Sequence, residues 1–519
     1  MNSFVVCEEL NRILQQQRKM SQTRIQPGRD QVKKLELSSL HYKPCEIFAF
    51  IAKIFLIFSL ASSVLLVLYT TFSQTYTFRF PVPKRPELNN NSDSSPTNIS
   101  HILFGISGSV NTWKNRSRYS SIWWNANETR GFVWMDEIPR YPGTGNPKNS
   151  VPPYRVSSPE WKRFRFGSSR SAVRIARIIS DSFKLRLPNV RWFVMGDDDT
   201  VYFTHNLVSM LAKYDHHQMW YIGGNSESVE QDLMHSYDMA FGGGGFAISY
   251  PLAEILVNIL DGCLDRYYYF YGSDQRIWAC INEIGVPLTL EHGFHQLDIR
   301  GNAYGLLAAH PIAPLISLHH LDTLDALFPH QNQMDSLNSL NLAYQIDPPR
   351  ILQQSLCYDH SRRWSISISW GYTVQIYPSL LYANDLQRPR QTFKTWRSSS
   401  NGPFTFNTQP VKPDPCGSPV VFMLDKAEQV RHSGSLTSYH IVKQEPEKRC
   451  NATLYEEALS LQEIVVSAIR LDPEYWTKEE ARRRQCCELI DRGVIKKNSL
   501  QIRIRKCRRL ETVTATGKR

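Results

Sequence analysis

The chain predicts an α/β sandwich built on a largely parallel sheet, followed by a β-rich C-terminal module and preceded by one transmembrane helix. Three observations predict it. Short apolar runs alternate with helical periodicity between residues 101 and 330. Polar–apolar alternation takes over from Gln331. One uncharged apolar stretch lies near the N-terminus.

Residues 1–46 form a polar tail without a compact core. The run Ile47–Phe72 reads IFAFIAKIFLIFSLASSVLLVLYTTF and carries no charge from Ile54 onward. A bilayer core needs about twenty apolar residues in a helix. Lys53 sits where its stem can reach back to the headgroups. A secretory signal would start closer to the N-terminus and have a shorter apolar core. The run therefore reads as a signal-anchor.

Before it lie Arg12, Arg18, Lys19, Arg24, Arg29, Lys33, Lys34 and Lys43, and just after it only Arg79, Lys84 and Arg85. The positive-inside rule puts the tail in the cytosol and everything after Phe72 in a lumen. Glycosylation sequons at Asn90, Asn98, Asn115, Asn127 and Asn451 all fall on the lumenal side. So do eight of the ten cysteines, which points to disulfides. Of the many connectivities, Cys263 with Cys280 is expected, because the two flank one helix and loop. Cys45 at the membrane edge reads as a free thiol or an acylation site.

Residues 73–100, with PVPKRPELNNNSDSSPTN, form a stalk too polar to fold. From His101, HILFGISG and GFVWM read as strands. SSRSAVRIARIISDSF reads as a helix with Val173, Ala176, Ile179 and Phe183 on one face. RWFVMGDDD is a strand ending in three carboxylates. HNLVSMLAKY and PLAEILVNILDGC are helices, the second opened by proline, and MWYIGGN and FGGGGFAIS are strand-and-turn segments. The expected domain spans residues 101–330. In residues 331–519, RWSISISWGYTVQIY is a hairpin turning at Gly371.

The net charge is +12, but it is spread out and not gathered into a stripe. The sequence carries no zinc-finger spacing, RNA-binding signature or phosphate-cradling loop with lysine, so nucleic-acid binding and phosphotransfer are not expected.

The chemistry concentrates in four places. Asp197 and Asp199 are spaced i, i+2 on a turn leaving a strand, so both can face one hard cation, Mn²⁺ or Mg²⁺. A solvated acidic turn or a calcium loop are the blander readings, but three adjacent acids repel without a cation. Gly242–Gly245 let the backbone approach a sugar or phosphate closely, or simply make a tight turn. Asp274, in YGSDQR, is a base candidate or a helix cap. Arg170 can reach a diphosphate or remain a surface charge. Trp123, Trp124 and Trp278 can stack on sugars or fill the core.

The motifs WFVMGDDDTVY, AFGGGGFAIS, YGSDQRIWACINEIGVPLT, GFHQLD and HPIAPLISLHHLD occur in order. Together they make the block from His101 to about His320 resemble the fringe-like glycosyltransferases of family 31, and among them plant fringe-related proteins of unassigned specificity. The resemblance implies a GT-A fold and a manganese-dependent enzyme of the Golgi membrane. It implies inverting transfer of a hexose or N-acetylhexosamine from a UDP-sugar to a glycan hydroxyl, through a β-1,3 linkage. It implies metal ligation by Asp197, Asp199 and a histidine: His319 first, then His320, with His295 a further candidate. Asp274 takes the place of the base, although fringe enzymes have Pro-Asp-Asp where this chain has Gly-Ser-Asp. Asp198, Arg170, Gly243 and Gly244 are the implied donor contacts. The expected partners are nucleotide sugar, glycan acceptor and membrane, with self-association left open. The Gly-Ser-Asp departure keeps an alternative in view, a non-catalytic lumenal carbohydrate-binding protein that retains the fold.

Overall fold

The structure, a computed structural model, describes residues 53–65, 95–139, 150–165, 170–397, 400–412, 414–430, 433–442, 450, 453–478, 482–490 and 498–516. The chain forms two units, Met1–Ser94 and Ser95–Arg519. In the first, residues 53–65 are helical. No described helix is long and apolar enough to cross a membrane. The remainder of the expected anchor, residues 47–52 and 66–72, lies outside the described residues, as do the tail, most of the stalk, and the sequons at Asn90 and Asn451.

The second unit begins with β1 (Ile102–Ser107), α1 (Trp113–Trp123), β2 (Arg130–Met135) and β3 (Tyr154–Val156). Next come α2 (Arg170–Ala176), α3 (Ile178–Phe183), β4 (Trp192–Asp197), β5 (Val201–Tyr202), α4 (Thr204–Leu211), β6 (Tyr221–Gly223) and β7 (Phe246–Ser249). Then follow α5 (Tyr250–Arg266), α6 (Ser273–Ile284) and β8 (Leu288–Leu290). The helix expected over 168–183 is thus two helices, with the break at Arg177, whose buried guanidinium reaches Glu160 and Asp261.

Seven strands make one sheet in the order β3-β2-β1-β4-β7-β6-β8. Every neighbouring pair is parallel except those of β7, which runs against β4 and β6. The strands are apolar on both sides because both faces are covered. Ile102, Phe104, Trp192 and Val194 enter one core, whereas Leu103, Phe193 and Met195 enter the other with α2, α3, α5 and α6. The Cys263–Cys280 disulfide, as expected, joins α5 to α6.

Three short strands follow: β9 (Phe294–His295), β10 (Ile299–Gly301) and β11 (Ser317–Leu318). β11 lies between β5 and β9. Helix α7 (Gln333–Ile346) opens the C-terminal part, capped by Asn332, which accepts from Asp335 N at 2.9 Å. There β12 (Gln354–Asp359), β13 (Trp364–Ser369), β14 (Thr373–Tyr377), β16 (Val420–Val430), β17 (Gly434–Ile441), β18 (Glu463–Ile469), β19 (Cys486–Leu489) and β20 (Ser499–Arg505) close into a barrel. The hairpin at Gly371, with φ +77°, is its β13–β14 corner. Between β14 and β16 the chain leaves the barrel to lay β15 (Phe393–Thr395) on β10. Further disulfides among the described residues join Cys357 to Cys487, Cys416 to Cys450 and Cys486 to Cys507.

The boundary expected at 330/331 does not separate two cores. One continuous cluster holds Phe104 and Val194 of the sheet together with Ile366, Val374 and Ile464 of the barrel. The sheet's second face meets α1 and β5 first, through Phe104 on Trp123 and Tyr202, and the core they share runs on into the C-terminal part.

Candidate metal centre

Each strand that matters delivers its residue at the carboxyl edge of the sheet, where open α/β sheets bind ligands. Asp197 ends β4, opposite Ser107 at the end of β1. The turn that follows is fixed from three sides. Thr200 Oγ1 accepts from Asp197 N (2.9 Å) and donates to the Gly243 carbonyl (2.7 Å), and Trp123 Nε1 donates to the Thr200 carbonyl (3.1 Å). Trp123 and Trp124 are core residues with no open face for a sugar, and Trp278 is partly buried against the second core.

His319 follows β11 directly, and its imidazole meets both acids. Nε2 lies 3.2 Å from Asp199 Oδ1 and 3.8 Å from Asp197 Oδ2. One ligand atom from each of the three residues falls within 4.8 Å of the others. The set fits a divalent cation: two hard carboxylates with a borderline imidazole suit manganese or magnesium. Both Asp199 oxygens are buried and lack a directed hydrogen bond, as does His319 Nδ1. Gly243 must be glycine, since a Cβ there would come within 2.0 Å of the His319 ring.

A cavity of about 130 Å³ opens beside this group, lined by Asp197, Gly242, Gly243, Ser273, Asp274 and His319, among others. Asp274 is not the helix cap, which is Gly272. It sits in the first turn of α6, where its Oδ2 accepts from Gly242 N and its Oδ1 from Gln275 N, each at 3.1 Å. The acid is thereby turned to the glycine loop.

Three implied donor contacts stand differently. Asp198, in the turn that follows β4, does not line the cavity. It accepts from Thr112 Oγ1 at 2.6 Å and pairs with Arg116 Nη1 at 3.2 Å. Gly244 is one residue behind the cavity wall, its N–H donating to Gln296 Oε1 at 2.5 Å. Arg170 opens α2, and its side chain lies outside the description. The other two candidate histidines have different partners, although His320 also lines the cavity. His320, at φ +52°, stacks on Trp396 (4.4 Å, 7°) and pairs with Asp298. His295 faces Glu227 and His310, and burial pushes it down to about 4.

The residue that sequence reasoning missed is Arg116. From α1 its Nη2 reaches Asp199 (3.1 Å), its Nη1 Asp198 and its Nε Asp322 (3.2 Å each). Arg174, buried on α2, adds a second positive field on Asp197 and Asp198.

The electrostatics follow from burial and from this crowding. Burial lifts Asp197 to about 6, the neighbouring acids adding to the push and His319 opposing it. Its side chain is 35 % exposed, so solvent screens part of that push. Burial would raise Asp199 too, but His319 and Arg116 hold it well below the usual carboxylate range. Burial would lower His319, yet Asp199 and Asp197 lift it to about 9. A cation can be bound only by neutral imidazole, so at neutral pH binding must expel the His319 proton. Mn²⁺ affinity is expected to rise about tenfold per pH unit from 7 toward 9 and to flatten above. Calorimetry in buffers of different ionisation heat reads the released proton, and a flat profile excludes His319 as a ligand.

Among known proteins, residues 231–487 match a family described as Protein of unknown function, DUF604. The matched stretch contains the glycine loop, Asp274, His319 and most of the barrel, and starts after the aspartates of β4. It crosses residue 330 without a break, as the shared core does. No curated protein matches the chain.

Proposed function

We propose that this chain is a fringe-like, metal-dependent inverting glycosyltransferase of GT-A architecture that moves a hexose or N-acetylhexosamine from a UDP-sugar to a glycan hydroxyl, forming a β-1,3 linkage. The observation that carries the reading is the convergence of Asp197, Asp199 and His319 beside a cavity that Asp274 and Gly243 also line.

In this reading Asp197, Asp199 and His319 hold the divalent cation. When bound, the cation offsets the negative charge that grows on the departing diphosphate. The Gly242–Gly243 backbone leaves room for the donor sugar. The Asp274 carboxylate accepts the proton of the acceptor hydroxyl. That oxygen bonds to the anomeric carbon on the face opposite UDP, the bond to UDP breaks, and the configuration inverts.

A single-pass Golgi protein with its catalytic part in the lumen accords with several features. The apolar run and its charge flanks favour it. Asn98, Asn115 and Asn127 are exposed for glycosylation. The four disulfides suit an oxidising compartment. One observation favours a second reading, a lumenal carbohydrate-binding protein without transfer: Arg116 already neutralises Asp198 and Asp199.

Titrating full-length protein with a panel of UDP-sugars, with and without Mn²⁺, separates the two. Manganese-dependent binding of one nucleotide sugar, followed by UDP release on adding glycan, is the expected result. A folded protein that binds none of them loses the transferase reading.

A further inference from the structure

The loop between α5 and α6 carries the run Tyr267–Tyr271, YYYFY. Tyrosine normally hides most of its ring, yet Tyr268 is 41 %, Tyr269 58 % and Tyr271 62 % exposed. The loop is nevertheless firmly held. Arg276, buried on α6, donates from Nη2 to the carbonyls of Tyr268 (2.8 Å) and Phe270 (2.9 Å). Its Nε also reaches the Phe270 carbonyl, at 3.2 Å. Burying a guanidinium is costly unless its donors are matched; here Nε and Nη2 are aimed at the backbone that presents the rings, and Nη1 is left without a partner among the described residues. Tyr267 stacks on Phe270 at 5.6 Å and 9°, and the Cys263–Cys280 disulfide ties the two flanking helices.

The loop ends at the metal-site cavity, whose wall includes Ser273 and Asp274. Tyr271 and Asp274 are three residues apart, so their Cα atoms lie within about 11 Å of each other. A sugar ring has an apolar C–H face and a rim of hydroxyls. Tyrosine matches both, with a flat apolar face and a polar tip, and loses little conformational freedom on contact. The residues that precede the rings in sequence, Asp265 and Arg266, are exposed and polar, and Arg266 pairs with Glu283, which favours a hydrated ligand over an apolar protein surface.

We propose that Tyr268, Tyr269 and Tyr271 form a stacking platform for the acceptor, and that the acceptor is therefore an oligosaccharide and not a free monosaccharide. The platform holds neighbouring sugar rings while a terminal hydroxyl reaches Asp274. This rests on the transferase reading above.

The test probes a printed array of mono- to tetrasaccharides with the full-length chain, with and without UDP and Mn²⁺. It compares wild type with the double variant Tyr269→Ala, Tyr271→Ala. Wild type is expected to retain a set of oligosaccharides and no monosaccharide, and the variant to retain them about tenfold less or worse. UDP binding in the presence of Mn²⁺ stays unchanged, which shows the variant is folded. The Tyr269→Phe, Tyr271→Phe variant keeps retention, since the ring and not the hydroxyl makes the stack. Equal retention by the alanine variant overturns the platform, as does wild type that retains no glycan under either condition. A variant that holds glycans as before but loses self-association assigns the rings to a protein interface instead. Absence of UDP binding in wild type counts against the donor site alone, because the array still decides the platform.

Discussion

Asp199→Ala is expected to weaken Mn²⁺-dependent nucleotide-sugar binding by about 10²-fold or more while the chain stays folded. Groups that merely orient metal ligands are worth about 10–100-fold in affinity, and a ligand itself should exceed them. Asp199 lies between two cationic groups, His319 at 3.2 Å and Arg116 at 3.1 Å, with its side chain only 1 % exposed. Removing it does not orphan Arg116, which keeps Asp198 and Asp322. Nor does it strand a charge on His319, whose upward shift comes from Asp199 and Asp197 and which then titrates lower. The loss is thus confined to the cation site. Calorimetric titration with Mn²⁺ and donor, beside a thermal melt, checks both halves. Unchanged metal dependence in a folded variant would remove the DDD turn from the metal centre.

The strands around the site were legible because each is a short apolar run ending in a turn, and burial on both faces demands that pattern. The choice between His319 and His320 was not legible. They are adjacent and chemically equal, and only the direction in which the chain leaves β11 sends one to the acids and the other to Asp298 and Trp396. Arg116 gave no signal at all. It is one of three basic residues at alternate positions, Lys114, Arg116 and Arg118, around a sequon, and its partner Asp198 is 82 residues away. Asp198 itself reads in sequence as the middle of a cluster, and nothing local shows that it is held by Thr112 and Arg116 from a segment more than eighty residues earlier.

In the C-terminal part the β13–β14 hairpin was visible through its alternation and its glycine turn, but the barrel was not. Its closure depends on the pairing of β12 with β19 and of β18 with β20, both parallel and both between strands not adjacent in sequence. Periodicity reports which residues face inward and says nothing of such partners. The same limit hid the shared core. An apolar residue such as Val374 looks alike whether it fills a separate module or belongs to a core that continues to the sheet.

Asp274→Asn is expected to lower transfer by about 10²–10⁴-fold, the usual worth of general-base assistance, with donor binding preserved. The substitution keeps the shape, and an amide oxygen can still accept from Gly242 N, so the glycine loop stays where it is. What is lost is the capacity to take a proton and, because an amide has one acceptor oxygen, the local contact from Gln275 N within the first turn of α6. The prediction therefore appears in kcat at saturating acceptor, and calorimetry with donor and Mn²⁺ reads as in wild type. This split distinguishes a base from a brace. Asp274 also ties α6 to the loop that carries Gly243, and Gly243 packs against His319. If that tie were its whole role, asparagine would support normal turnover, because the hydrogen bond survives. Alanine, which lacks the acceptor, would disturb donor binding as well. Loss with both residues, but of donor binding only with alanine, means that Asp274 braces the loop and moves the proton. In that case the single carboxylate of Gly-Ser-Asp carries two duties.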